Sequence, residues 1–174
     1  MKKFILLVLF GKILVSCGST KGMNFADKAE DDSIEGMYIN PKFQGNILML
    51  LDRKLLKDTL QNQDDYEKFS IHFEGNKYMV FQIYSEKNVI TRKHKYKKRK
   101  GVYYLKNQNV KPLLIPFILG AIDEKRLYLY KNKKNKLIIN TYESRSGAAL
   151  LVVFLSWKDW TNTFRYDRIE DETY

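Results

Sequence analysis

The stretch Phe69-Ser70-Ile71-His72-Phe73-Glu74-Gly75-Asn76-Lys77-Tyr78-Met79-Val80-Phe81-Gln82-Ile83-Tyr84 decides the fold. Apolar Phe69, Ile71 and Phe73 alternate with Ser70, His72 and Glu74. Successive strand residues face opposite sides of a sheet, so this period sends one face to a core and the other to water. Gly75-Asn76 reads as the two-residue turn that hairpins favour, and residues 78–84 return as the partner strand. The pattern repeats outward. Residues 36–40 read as an opening strand that Pro41 ends. Residues 89–96 and 101–106 flank a basic turn at 97–100. Residues 126–130 and 137–142 flank the lysine- and asparagine-rich turn 131–136. Ser144-Arg145-Ser146-Gly147 reads as a turn, without the elbow that a nucleophilic serine needs. The apolar run 147–156 suits a single strand buried on both faces. Residues 163–169 close the chain. Eight or nine short strands with tight turns predict a mainly β protein, an antiparallel meander forming a barrel or a sandwich.

One helix is expected near the N-terminal side. Asn46 is a good cap, and Ile47, Leu48, Leu51, Leu55 and Thr59 fall near one face of a helix running to about residue 60. The polar tract 61–65 ends it. The stretch from Pro112 to Pro116 reads as a loop, a bent edge or an internal strand. The Gly36-Met37-Tyr38 opening and the meander resemble the lipocalin-like plan of small bacterial lipoproteins, a resemblance of layout alone.

A chain of 174 residues with 44% apolar residues is long and apolar enough for one folded domain, which excludes global disorder. It carries 31 Lys+Arg against 20 Asp+Glu, a formal charge of +11. The single cysteine excludes an internal disulfide framework and any multi-cysteine metal site. His72 and His94, the two histidines, lack a spaced ligand partner and read as surface residues. No metal site and no cofactor are expected.

The N-terminus has its own signature. Lys2 and Lys3 precede an apolar stretch over residues 4–15, the length of a signal-peptide core. That stretch falls short of the roughly 20 residues a spanning helix needs. Later apolar runs, 113–122 and 147–157, are shorter still. Leu14-Val15-Ser16-Cys17 resembles the lipobox of bacterial lipoproteins. The resemblance implies cleavage before Cys17, a diacylglyceryl thioether on its sulfur and acylation of the new amino group. Acyl chains then hold the protein at a membrane. Residues 1–16 are read as the signal peptide, 17–33 as the lipidated cysteine and a mobile tether with Met23 and Phe25 touching the domain, and 34–174 as one β-rich domain. Loss of Lys2, Lys3 and Lys12 lowers the charge from +11 by three, to +8. No acidic residue follows Cys17 until Asp27, which makes the outer membrane the default address, on either face.

The candidate contact residues are basic. Residues 92–100 hold seven basic residues in nine: Arg92, Lys93, Lys95, Lys97, Lys98, Arg99 and Lys100. Such a run attracts phosphates, acidic glycans or anionic headgroups. Lys131, Lys133, Lys134 and Lys136 extend the same character. Lysine outnumbers arginine 24 to 7, a skew that genome composition explains, and lysines also protect strand edges from unwanted pairing. Nucleic acid is not an expected partner of an exported, lipid-anchored chain. Tyr38, Tyr103, Tyr128 and Tyr130 complete the candidate contact surface. Trp157 and Trp160 read as caps on the core.

Asp64-Asp65 and Glu170-Asp171-Glu172 offer carboxylates, but a glycosidase needs two facing each other across a cleft, which adjacency does not provide. The expectation is therefore a non-catalytic binding or scaffolding protein of the cell envelope. Its partner would be a glycan, a lipid or a protein. The alternatives are a hydrolase of envelope polymer that uses loop carboxylates, and an inhibitor or immunity-type protein.

Overall fold

The computed structural model describes residues 23, 25–30, 33–42, 44–52, 65–112, 119–149 and 153–169. Within these, residues 107–112, 119–123, 145–149 and 153–159 are placed by backbone and register only. The strands are β1 (Gly36–Ile39), β2 (Tyr66–Glu74), β3 (Tyr78–Ser85), β4 (Val89–Lys95), β5 (Lys97–Arg99), β6 (Val102–Pro112), β7 (Leu119–Lys131), β8 (Leu137–Ala149), β9 (Val153–Tyr166) and β10 (Arg168–Ile169). One helix, α1 (Ile47–Leu51), joins β1 to the rest.

The strands form two antiparallel sheets, β10-β1-β2-β3-β4 and β5-β6-β7-β8-β9. The chain crosses between them through one residue at each edge, Tyr96 between β4 and β5 and Asp167 between β9 and β10. Strands that bend at a corner let two sheets share a core. The protein is thus mainly β, a sandwich whose meander closes on itself through the β10–β1 pair.

Alternation explains the core. Phe69, Ile71, Met79, Phe81 and Ile83 from the first sheet meet Tyr103, Leu105, Leu127, Leu129, Leu137, Ile139 and Tyr166 from the second. Helix α1 buries Ile47, Leu48, Leu50 and Leu51 at one end. Asn46 caps it, its side chain accepting from Leu48 N at 3.0 Å. Asp52 is already extended, with φ −103° and ψ 115°, so the first helical segment is short. Leu55, Thr59 and the rest of the expected helix lie outside the described residues.

Several expectations change. The β2–β3 loop has three residues, Gly75, Asn76 and Lys77, because Glu74 pairs with Tyr78; Gly75 takes φ 58°. The basic segment 97–100 is mostly strand, and the turn moves to Lys100 and Gly101, both with positive φ (51° and 71°). Positive φ at both central residues matches the right-handed twist of the flanking strands. Ser144-Arg145-Ser146-Gly147 lies inside β8. The run 147–156 is two strands: Gly147 pairs with Ser156, Ala148 with Phe154 and Ala149 with Val153. Small residues in one arm face bulky ones in the other, so an unbroken apolar composition hid a chain reversal. The 111–122 stretch likewise divides, with Pro112 opposite Gly120. Pro112 lies beyond the end of β5, on a β6 edge with no described neighbour, where a missing N–H costs no ladder bond.

The tether expectation covers residues 18–33, of which 1–22, 24, 31 and 32 lie outside the described residues. The contacts reach further than Met23 and Phe25. Phe25 packs edge-on to Tyr130 at 5.4 Å, Ala29 N donates to Lys131 O at 2.9 Å, and Lys28 bridges Asn132. Together they cover a second apolar cluster of Val102, Tyr128, Tyr130 and Ile138 on the outer face of the second sheet.

Candidate functional site

The site forms where β4 gives way to β5. Strand β5 pairs with β6 over three residues only, Lys97 with Tyr104, Lys98 with Tyr103 and Arg99 with Val102. Beyond Tyr104, β6 continues with that edge unpaired among the described residues, and an open cleft of about 840 Å³ lies beside it. Lys95, Tyr96, Lys97, Lys98 and Arg99 line one wall, with Lys77 from the β2–β3 loop. Tyr104, Leu105, Lys106, Arg126, Leu127 and Tyr128 line the other. The lining carries seven cationic side chains and no carboxylate.

Aromatic packing holds the corner. Tyr96 lies 5.1 Å from Phe73 and 5.6 Å from Tyr103, and Phe73 stacks on Tyr103 at 5.0 Å. Tyr96 N donates to Lys77 O at 3.1 Å, which ties the crossing to the β2–β3 loop. Lys98 Nζ sits 5.1 Å from the centre of the Tyr103 ring. Such a cation–aromatic contact orients a flexible lysine without neutralising it.

The opposite wall is positioned by register. Tyr104 is opposite Tyr128 and Lys106 opposite Arg126 on adjacent strands. Tyr104 and Tyr128 meet edge to face at 5.2 Å. Arg126 binds Glu124 through both oxygens, at 2.7 and 3.0 Å, and lies 5.6 Å from the Tyr142 ring. Lys106 Nζ reaches the same carboxylate at 3.3 Å. Burial acts to raise the Glu124 pKa, but its bonds to Arg126 and Lys106 outweigh that and hold it below the ordinary carboxylate range. The Glu124 hydrogen bond in turn raises the Arg126 pKa. Glu124 therefore stays charged and fixes two of the seven cations, leaving the remainder to face the opening.

Of the seven basic candidates, Lys95, Lys97, Lys98 and Arg99 share the cleft. Arg92 instead binds Asp52 after α1, Nη2 to Oδ2 at 2.7 Å. Lys93 pairs with Glu74 and lies over the Tyr78 ring. Lys100 occupies the turn. Alternation along β4 separates them: Arg92 and His94 lie on the half-buried face, Lys93 and Lys95 on the exposed one. Among the second cluster, Lys131, Lys133, Lys134 and Lys136, none lines the cleft; Lys136 pairs with Asp167 at 2.6 Å. Cys17 lies outside the described residues.

The tyrosine expectation is corrected. Tyr38, Tyr103, Tyr128 and Tyr130 are all buried, because a ring of that size stabilises more inside than outside when its hydroxyl finds a partner. Tyr38 donates to Ile34 O at 2.9 Å, and burial pushes its pKa up to about 12. Tyr130 donates to Asp27 Oδ1 at 3.0 Å. Only Tyr128 borders the cleft. His94 is also no surface residue: it packs against Phe81, 6.0 Å between ring centres, and burial lowers its pKa.

Lys77, Lys106 and Arg126 were missed in the sequence. Their signal was the spacing of Tyr104 with Lys106 and of Arg126 with Tyr128, two residues apart on paired strands. Asp65 borders a separate polar pocket of about 410 Å³ with Glu67 and Glu86; Asp64 and residues 170–172 lie outside the described residues. Among the described residues, no group of three or more His, Cys, Asp or Glu side chains is placed to hold a metal. Comparison of the chain with family models, curated proteins and solved structures finds no match.

Proposed function

We propose that this chain is a lipid-anchored envelope protein that binds acidic ligands non-catalytically in the cleft between its two sheets. The observation that carries the reading is the lining: seven cations, three tyrosines and two leucines, with no carboxylate. Cations without paired anions favour phosphate, sulfate or carboxylate groups, and each charge-assisted hydrogen bond contributes about 1.5–3 kcal/mol. The leucine and tyrosine walls suit an apolar or sugar-ring portion of the same ligand. The volume lies within the roughly 300–1,000 Å³ of small-molecule sites.

The lipobox-like Leu14-Val15-Ser16-Cys17 supports the anchor and the outer-membrane address. An acidic glycan or lipid of the envelope fits both the address and the cleft. Calorimetric titration with inorganic tripolyphosphate tests the binding. Heat that saturates and disappears at high salt is expected; no heat at low salt contradicts the proposal.

A further inference from the structure

The far end of the second sheet brings the two apolar runs of the sequence side by side. Val110, Ile122, Ser146 and Trp157 share one row across β6–β9. The rows beyond hold Ala121 and Gly147, then Pro112, Gly120, Ala148 and Phe154, then Leu119, Ala149 and Val153, with Leu155 the extra residue at a bulge. Adjacent rows lie on opposite faces, so both faces of this end are apolar. Among the described residues, Lys111 is the single charge in these four rows.

The shared core does not extend there. Its last inward row is closed by Lys125, whose Nζ donates to Met49 O at 3.1 Å and pairs with Glu143 at 3.4 Å. Past it comes a charged belt, Glu124 with Asp159 in one row and Asp123, Arg145 and Lys158 in the next. Trp160 and Trp157 sit on either side of that belt.

We propose that this end of β6–β9 inserts into the surface of a lipid bilayer. Apolar composition on both faces needs cover on both, which a second copy docked on one face would not supply. Tryptophans beside a charged belt match the chemistry of a membrane–water interface. The depth is bounded. Strands β6 and β9 have open edges here, and unpaired backbone is excluded from hydrocarbon. The four rows span about 13 Å, so insertion stops at the interfacial depth of about 5–10 Å. The proposed anchor allows this pose. From Cys17 to Phe25 the chain extends at most about 28 Å. From Tyr128, which Phe25 contacts, β7 runs about 31 Å to Leu119.

The cleft plays no part in this reading, and the test uses lipid without net charge. Trp157 and Trp160 are the chain's two tryptophans, so intrinsic emission reports this end alone. The full chain carrying Cys17→Ala is mixed with phosphatidylcholine vesicles at high salt. A blue shift is expected, with quenching by brominated acyl chains that is stronger for bromines near the headgroup than for deep ones. Ile122→Asp is expected to abolish both while keeping the thermal unfolding midpoint. The apolar 4–15 stretch can bring the chain to vesicles but carries no tryptophan, so binding without a spectral change overturns the proposal. A blue shift that grows with protein concentration in the absence of lipid also overturns it, because a second copy then covers the end.

Discussion

Asn40 joins three pieces of the chain through one amide. Its Nδ2 donates to Tyr66 O at 2.7 Å, and its Oδ1 accepts from Ile47 N at 2.9 Å. One buried side chain thus links the end of β1, the start of β2 and the first turn of α1. Asn40→Ala leaves a buried carbonyl and a buried N–H unmet, and is expected to cost about 1–3 kcal/mol per group in denaturant unfolding. An unchanged midpoint would show that water replaces the amide. His94 sets a pH dependence. Burial favours its neutral form in the folded state, so the unfolded chain takes up a proton more readily. The stability this contributes is complete above the unfolded value of 6.5 and is lost as pH falls through it. Melting curves between pH 8 and pH 5 (on the order of the histidine range) should show the loss, and His94→Phe should flatten it. Equal slopes in both proteins would assign the effect to other groups.

At the scale of elements, what was legible depended on periodicity. Strands β2 and β3 were readable because Phe69, Ile71 and Phe73 alternate cleanly with polar neighbours. The long strands were not. Period two disappears in the run 147–156, since Gly147, Ala148 and Ala149 and their partners are all apolar, and nothing local marks the reversal. The cleft was half legible for a related reason. Residues 92–100 stand out as charge, but charge does not say which way a side chain points. Alternation on β4 sends Arg92 to Asp52, and the exposed face holds Lys93 against Glu74. The corner at Tyr96 then turns Lys97, Lys98 and Arg99 toward Lys106 and Arg126. That convergence is a product of register between strands distant in sequence. Replacing Lys97, Lys98, Arg99 and Lys100 by glutamine is expected to leave the melting temperature nearly unchanged, since exposed charges contribute little. A large loss of melting temperature would make the segment structural.

For the whole molecule, the anchor and the fold are separable claims. The two sheets, their bent corners and their shared core stand on the described strands. The membrane attachment rests on Cys17. Cys17→Ala is expected to release the protein from membranes after a high-salt, alkaline wash that also strips the sheet end. Retention through that wash would place the anchor elsewhere. The basic cleft sits between sheet and sheet, away from the docked segment Phe25–Ala29, so the two ends of the proposed function do not compete for one surface.

The salt dependence of tripolyphosphate binding tests the cleft most directly. Log affinity is expected to fall linearly with log salt, with a slope set by the number of cations neutralised. Lys97→Gln, Lys98→Gln and Arg99→Gln combined should reduce that slope and weaken binding by at least about tenfold, the equivalent of about 1.4 kcal/mol. Arg92→Gln with Lys93→Gln, equal in character but outside the cleft, should leave both nearly unchanged. Equal losses in the two variants would mean that general surface charge, and not this cleft, holds the ligand.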